Sequence, residues 1–343
     1  MGPTLAIIGT SLALVGCSGE PTEELRPRSD ARSRVEPDLR HVFPRVDIAP
    51  GQELNGLCQS WTVGNETPLY VNAVRAVNDG GWHHSNWVFV ADTSYPGPDG
   101  TWNCSERNFS QLAGGVEGGV FFAQSTQALE DEQRFSRGLA IVLPVHARII
   151  GDVHLLNTTQ ELVRSALTFE IDLLEHDEVK LVLNPLTATN QALAIPPRTR
   201  SLHEMICTFP QPAEFDVHYV LPHYHSLGSS FSLEVVGGSR DGAILHQSTP
   251  ATGEAWGKLL DPPVPLGGAT ALRLTCGYDN PRDTEVRYGV GDQEMCVFLT
   301  FTSSSMKYGG FSLVNSAVGQ PSPAGVPLNR ADCTLFGAAG ASL

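Results

Sequence analysis

The sequence predicts an all-β protein built as two consecutive jelly-roll-type β-sandwich domains facing each other across a cleft. Three observations carry that expectation. The chain has 343 residues, enough for two cores of ordinary size. Only 17% of its residues are charged, while 34 are glycine and 24 are proline. Its apolar segments are short, rich in β-branched and aromatic residues, and bounded by Gly, Pro, Asn or Asp.

Residues 1–17, MGPTLAIIGTSLALVGC, read as a signal peptide. The apolar run has the right length for export and is too short for a membrane span. It ends LVGC, like the lipobox of a bacterial lipoprotein, so Cys17 is the expected lipidation site, although MGPT lacks the usual Lys or Arg. Residues 18–40 are polar and without apolar periodicity, as in a flexible tether. These features predict a bacterial envelope protein, periplasmic or surface-facing, that meets the membrane only through an N-terminal lipid.

The first folded domain is expected over 41–186, from runs such as HHSNWVFVADTS, LAIVLPVHARIIGDVHLLN and ALTFEIDLLEHDEVKLVL. Within it, QSTQALEDEQRF is the segment expected to make a helical turn or two. LNPLTATNQALAIPPRTRS, residues 183–201, is polar and Pro-interrupted and reads as a linker. The second domain, 187–343, repeats the character in FDVHYVLPHYHSLGSSFSLEVVGG, TALRLTCGYDN and EMCVFLTFTSS. A formal charge of −15 with no Lys/Arg patch argues against nucleic acid or an anionic lipid surface as partner. There is no GxSxG elbow, P-loop or GxGxxG.

Apart from Cys17, six cysteines remain: Cys58, Cys104, Cys207, Cys276, Cys296 and Cys333. An even number in an exported chain reads as three disulfides, for which fifteen pairings exist. If each half folds separately, Cys58–Cys104 is forced.

The chemistry is concentrated in histidines. In FDVHYVLPHYHSLG (215–228), alternation would place Phe215, Val217, Tyr219 and Leu221 on one strand face and continue it with His223 and His225. Residues i and i+2 of a strand project side by side, so HxH can clamp one metal ion. Met295, one of four methionines, opens another strand in DQEMCVFLTF. In the first half, His83 and His84 are adjacent at the start of a strand. They can reach one ion only where the strand twists or ends, one ring using Nδ1 and the other Nε2. His154 in IIGDVHLLN is the expected third ligand. His146 is its rival, eight residues earlier and on the same face if the strand runs unbroken. His41, His176, His203, His218 and His246 belong to no such motif, and His218 has the opposite strand parity to His223.

In order, HHSNW (83–87), VHLLN (153–157), HYHSLG (223–228) and GVGDQEMC (289–296) resemble the copper type II, ascorbate-dependent monooxygenases. That family includes peptidylglycine α-hydroxylating monooxygenase and dopamine β-monooxygenase. The resemblance spans about residues 50–335, and HxHxLG with EMC is its specific part. It implies two copper ions per chain. One, held by His83, His84 and His154, would pass an electron; the other, held by His223, His225 and Met295, would bind O2 and hydroxylate a substrate C–H bond. The two sites would face each other across a solvent-filled cleft. The resemblance also implies the pairs Cys58–Cys104, Cys207–Cys333 and Cys276–Cys296, the last pinning Met295. The donors suit the metal: imidazole binds either copper oxidation state, and a thioether favours Cu(I).

Departures from the family bear on the substrate. The peptide-hydroxylating member has Arg two residues before HxH and Asn and Tyr two and four after the site Met; this chain has Leu221, Val297 and Leu299. A glycine-extended peptide is therefore not the expected substrate, and the wall beside the second copper is less polar. The family's Met after HH is Ser85 here, and Asp152 is either a hydrogen-bond acceptor for His154 or a solvent-facing residue. The expected function is a copper-dependent monooxygenase taking a small organic substrate, O2 and ascorbate or another one-electron donor. The alternatives are a non-catalytic copper-binding envelope lipoprotein and an adhesion or glycan-binding sandwich.

Overall fold

The computed structural model describes residues 36–124, 128–249, 256–289, 291–323 and 325–343. The signal-like segment, Cys17 and most of the 18–40 tether lie outside them. From Pro37 to Leu343 the chain forms one compact unit, and it is all-β: two sandwiches, each of two large sheets and a two-stranded one.

In the first sandwich a five-stranded sheet runs in the order Gly100–Asn103, Glu53–Thr62, Ala147–Leu156, Trp82–Ala91, Gly119–Gln124. The central strand Ala147–Leu156 is buried on both faces, with Ile149 and Ile150 both fully enclosed. The opposing sheet contains Leu167–Leu174, whose Leu167, Phe169 and Ile171 point inward while the residues between them are partly exposed. Leu39–Val42 also belongs to that sheet, pairing antiparallel with Leu167–Leu174. The ordered fold thus begins at a strand inside the segment expected to be tether, because Leu39 packs against the core.

Two further expectations are corrected. Residues 183–201 are not a linker. Asn184–Asn190 is an inner strand of the second sandwich, antiparallel to Val297–Thr302 and parallel to Met306–Ser312. Its polar look misleads because Leu186 and Ala188 alternate into the core while the Thr187 hydroxyl donates to the Phe298 carbonyl (2.9 Å). The helical turns expected near 124–135 are absent among the described residues, where Glu130–Arg134 is a strand. A short helix occurs instead at Gln111–Glu117, capped by the Ser110 hydroxyl.

The second sandwich stacks the sheet Lys258–Pro265, Asp216–His223, Val297–Thr302, Asn184–Asn190, Met306–Ser312, Phe336–Ala339 on a second six-stranded sheet. All three disulfides have the expected partners, Cys58–Cys104, Cys207–Cys333 and Cys276–Cys296.

A bulge decides how the sandwiches meet. The pairing of Asp216–His223 shifts register between Val217 and Tyr219 on both of its neighbours. The single face expected for Phe215, Val217, Tyr219 and Leu221 is therefore split. Val217 joins the core of the second sandwich, with Phe215 packed against it. Tyr219 and Leu221, with Leu299 and Phe301, join the core of the first. Phe135 packs edge-on against Tyr219 and Phe301, with ring centroids 5.9 and 5.1 Å away. Past that apolar contact, the same strand delivers His223.

Candidate metal centre

In the strand pairing of Trp82–Ala91 with Ala147–Leu156, His84 stands opposite His154 and Trp82 opposite Leu155, so His83 is the extra residue of a β-bulge. The bulge turns two adjacent side chains to one side, which a regular strand cannot do. The His83 and His84 Nδ1 atoms lie 3.1 Å apart, and His154 Nδ1 is 3.3 Å from His84 Nδ1. Both adjacent rings present Nδ1, where mixed Nδ1 and Nε2 use was expected. Three nitrogens each ~2.0–2.1 Å from one ion would stand about 3.3–3.5 Å apart, so the spacing suits a shared metal. His146 is no rival. It sits exposed in the turn before the strand, at φ 54°, with the strand beginning only at Ala147.

The His154 ring is set by Glu53, a residue the sequence motifs did not single out. Glu53 Oε1 lies 2.6 Å from His154 Nε2. A carboxylate accepts, so Nε2 carries the proton and Nδ1 keeps its lone pair for a metal. Asp152 takes neither expected role, since its carboxylate accepts from Gln111 Nε2 at 2.9 Å. Ser85, in place of the family's Met, is buried and accepts from Trp87 Nε1 (2.9 Å).

In the second set His223 ends its strand, while His225 and Met295 sit on two loops tied together by Glu294. Its buried carboxylate accepts the backbone N–H groups of His225 (2.8 Å) and Leu227 (2.7 Å). Burial nevertheless pushes its pKa up to about 7, those bonds opposing the shift. Tyr278 donates to the Met295 carbonyl (2.5 Å), and Cys296 is bridged to Cys276 on the same strand as Tyr278. Gly228 completes the HxHxLG pattern. A Cβ there would stand 2.1 Å from the Tyr224 ring, so only glycine lets that ring lie on the backbone. The Met295 sulfur lies 3.2 Å from His223 Nε2. His225 Nδ1 donates to the Gln293 carbonyl (2.8 Å), leaving Nε2 as the lone-pair nitrogen, buried and without a hydrogen-bond partner. A buried orphan acceptor beside a thioether and two imidazoles fits a soft cation such as Cu(I).

The two sets were expected on opposite sides of a solvent-filled cleft. They are in contact. His84 faces His223 and His225 as well as its own set, all within ligand-sharing distance, because the Tyr219/Leu221 interface draws the HxH strand onto the first sandwich. Burial lowers all five rings, aided by neighbouring imidazoles at His83 (to about 4), His84 and His223 (to about 3), while Glu53 partly opposes it at His154 and the Gln293 carbonyl at His225. None of the other six histidines enters either cluster among the described residues.

A cleft does exist, running from this cluster between the sandwiches. Its volume is about 170 Å³, and His223, Met295, Leu221, Val297 and Leu299 form one wall. Trp87 and Val88 of the His83 strand and the helix Gln111–Glu117 stand among its other walls.

No family model matches the chain, and no curated protein matches it. Among solved structures it is similar to the cowpea mosaic virus top component, a naturally occurring empty particle. That match has 10% identity, 84% of this chain, 94% of that one and a TM-score of 0.32. It is similar to PBCV-1 VP54, fitted into a reconstruction of the virophage Sputnik, at 7% identity, 78% and 94% coverage and TM-score 0.24. The PBSX exported protein XepA follows at 12% identity, 79% and 89% coverage and TM-score 0.20. TM-scores this low carry no argument about function.

Proposed function

We propose that the protein is a copper-dependent monooxygenase that hydroxylates a C–H bond of a small organic substrate. The supporting observation is the His223–His225–Met295 set. One of its imidazole nitrogens is an orphaned lone pair, its methionine is anchored by Tyr278 at its own carbonyl and by the disulfide of the next residue, and the set opens onto a cavity. His83, His84 and His154 would hold a second copper. Bound copper would supply one-electron redox chemistry and activation of O2. The chain's residues do the rest. Glu53 and the Gln293 carbonyl fix ring tautomers, Glu294 holds the two ligand loops together, and the buried walls limit water at the cavity's inner end. Overall, substrate, O2, two electrons from a donor such as ascorbate and two protons give hydroxylated product and water.

Three disulfides support an oxidising compartment, in keeping with export and, through Cys17, lipid anchoring. The deciding experiment loads the protein with copper and supplies ascorbate, 18O2 and a panel of C–H donors. One 18O atom in a hydroxylated product is expected. Stoichiometric copper binding with no product from any donor would replace this reading with copper capture or delivery; absence of copper binding would leave neither.

A further inference from the structure

The cavity has a direction. Its rim includes Val116 and Phe336, 38% and 41% exposed. Exposure then falls to 7% at Met295, 5% at His223 and 0% at Trp87. A molecule entering between the helix Gln111–Glu117 and the strand Phe336–Ala339 therefore ends against the thioether and imidazole.

The charge along that path is sparse. Among the described residues no carboxylate lines the cavity, and Lys307 is its one cation, the His223 ring being neutral. Lys307 Nζ already donates to the Glu117 and Gly118 carbonyls across the sandwich boundary (3.0 and 2.8 Å). Several polar wall groups are likewise already engaged, with one another or with groups behind the wall. Asn86 donates to Gln111 (3.1 Å), Gln111 donates to Asp152 (2.9 Å), and Thr187 donates to Phe298. An ammonium group entering here would lose its water with no counter-charge to meet it, and a carboxylate would find only a cation already shared. At about 170 Å³ the cavity is smaller than the ~300–1,000 Å³ of drug-sized sites, so its occupant is small.

We propose that this cavity binds an uncharged, predominantly apolar small molecule of about one ring or equivalent aliphatic bulk, presented to His223 and Met295. The fate of that molecule rests on the monooxygenase reading; its binding does not. The pocket's selectivity is for neutrality, since its apolar walls reward burial of a hydrocarbon surface and penalise either sign of charge.

Metal-free protein separates the two ideas. Fluorine NMR titration would compare three probes sharing one ring: 4-fluoroanisole (neutral), 4-fluorophenylethylamine (cation) and 4-fluorobenzoylglycine (anion). The neutral probe is expected to bind saturably and at least tenfold tighter than either charged one. Val116→Trp, a change at the exposed rim, should weaken it at least tenfold, as should Val297→Phe beside Met295. Equal or tighter binding of a charged probe would overturn the proposal. So would unchanged 4-fluoroanisole affinity in folded Val116→Trp protein. Because no copper is present, failure of metal loading leaves this result standing, and failure of probe binding leaves the copper reading standing.

Discussion

His84 of the first sandwich stacks on His225 of the second, with ring centroids 4.6 Å apart and planes inclined by 23°. Each belongs to a different three-residue ligand set. The stacked pair makes His84 a neighbour of both sets and His83 a member of one. His83→Ala should therefore remove one copper per chain, while His84→Ala weakens both sites. Elemental analysis after dialysis against a weak chelator, with electron paramagnetic resonance of the remaining Cu(II), checks this. Identical stoichiometry in the two variants would contradict the sharing.

Glu53→Gln should lower copper affinity at the His83–His84–His154 set about 10–100-fold, the usual effect of losing a hydrogen-bond partner behind a metal-bound imidazole. The His223–His225–Met295 set should be unaffected. A competition titration against a chromophoric chelator resolves the two sites. Asp152→Asn should leave both affinities alone, since its partner is Gln111.

Replacing both Cys276 and Cys296 by Ala should free the Met295 loop. Sulfur scattering should disappear from the copper X-ray absorption spectrum of the reduced protein, and stability should fall by about 2–4 kcal/mol, as for other native disulfides. Chemical denaturation reads the second effect. Retained sulfur scattering would mean that Tyr278 and Glu294 alone hold the loop.

Acid should destabilise the metal-free fold through His203. Its ring is fully buried, beside the Ser201 hydroxyl at 3.0 Å, and burial lowers it from 6.5 to about 4. Above pH 6.5 the ring is neutral in folded and unfolded chains alike. As pH falls from 6.5 toward 4 only the unfolded chain takes up the proton, so stability is lost across that window, by about 3 kcal/mol in total. His203→Gln should make this part of the profile shallower by that amount, the other lowered imidazoles such as His83 and His246 supplying the remaining slope. Urea midpoints at pH 7 and pH 4.5 provide the measurement.

Phe135→Ala should cost about 3–5 kcal/mol, the range for emptying a buried aromatic site. It should also loosen the register of the two ligand sets, because Phe135 packs on Tyr219 and Phe301. Calorimetry would measure the stability change, and a lower ratio of bound copper would report the loosening.

Much of this site was legible as motif. HH, VHLLN, HxHxLG and EMC name six side chains that the fold gathers, and short β-branched runs named the sandwiches. What escaped was geometry that leaves no residue signature. The bulge at His83 is a matter of pairing partners, so its two Nδ1 atoms could not be foreseen. The bulge after Val217 reverses strand parity midway through FDVHYVL, and only long-range packing shows it. Glu53 lies 101 residues from His154 in the chain and carries no motif. Asn184–Asn190 read as linker because its hydroxyls and amides, satisfied by neighbouring strands, look solvated in isolation.

The inserted His83 also carries a lesson about how such a centre could be gained or lost. Excising that single residue would let Trp82 and His84 run on as an ordinary ladder, leaving both cores untouched while one donor vanishes. If the set holds copper as proposed, metal binding and architecture would be separable here by one codon.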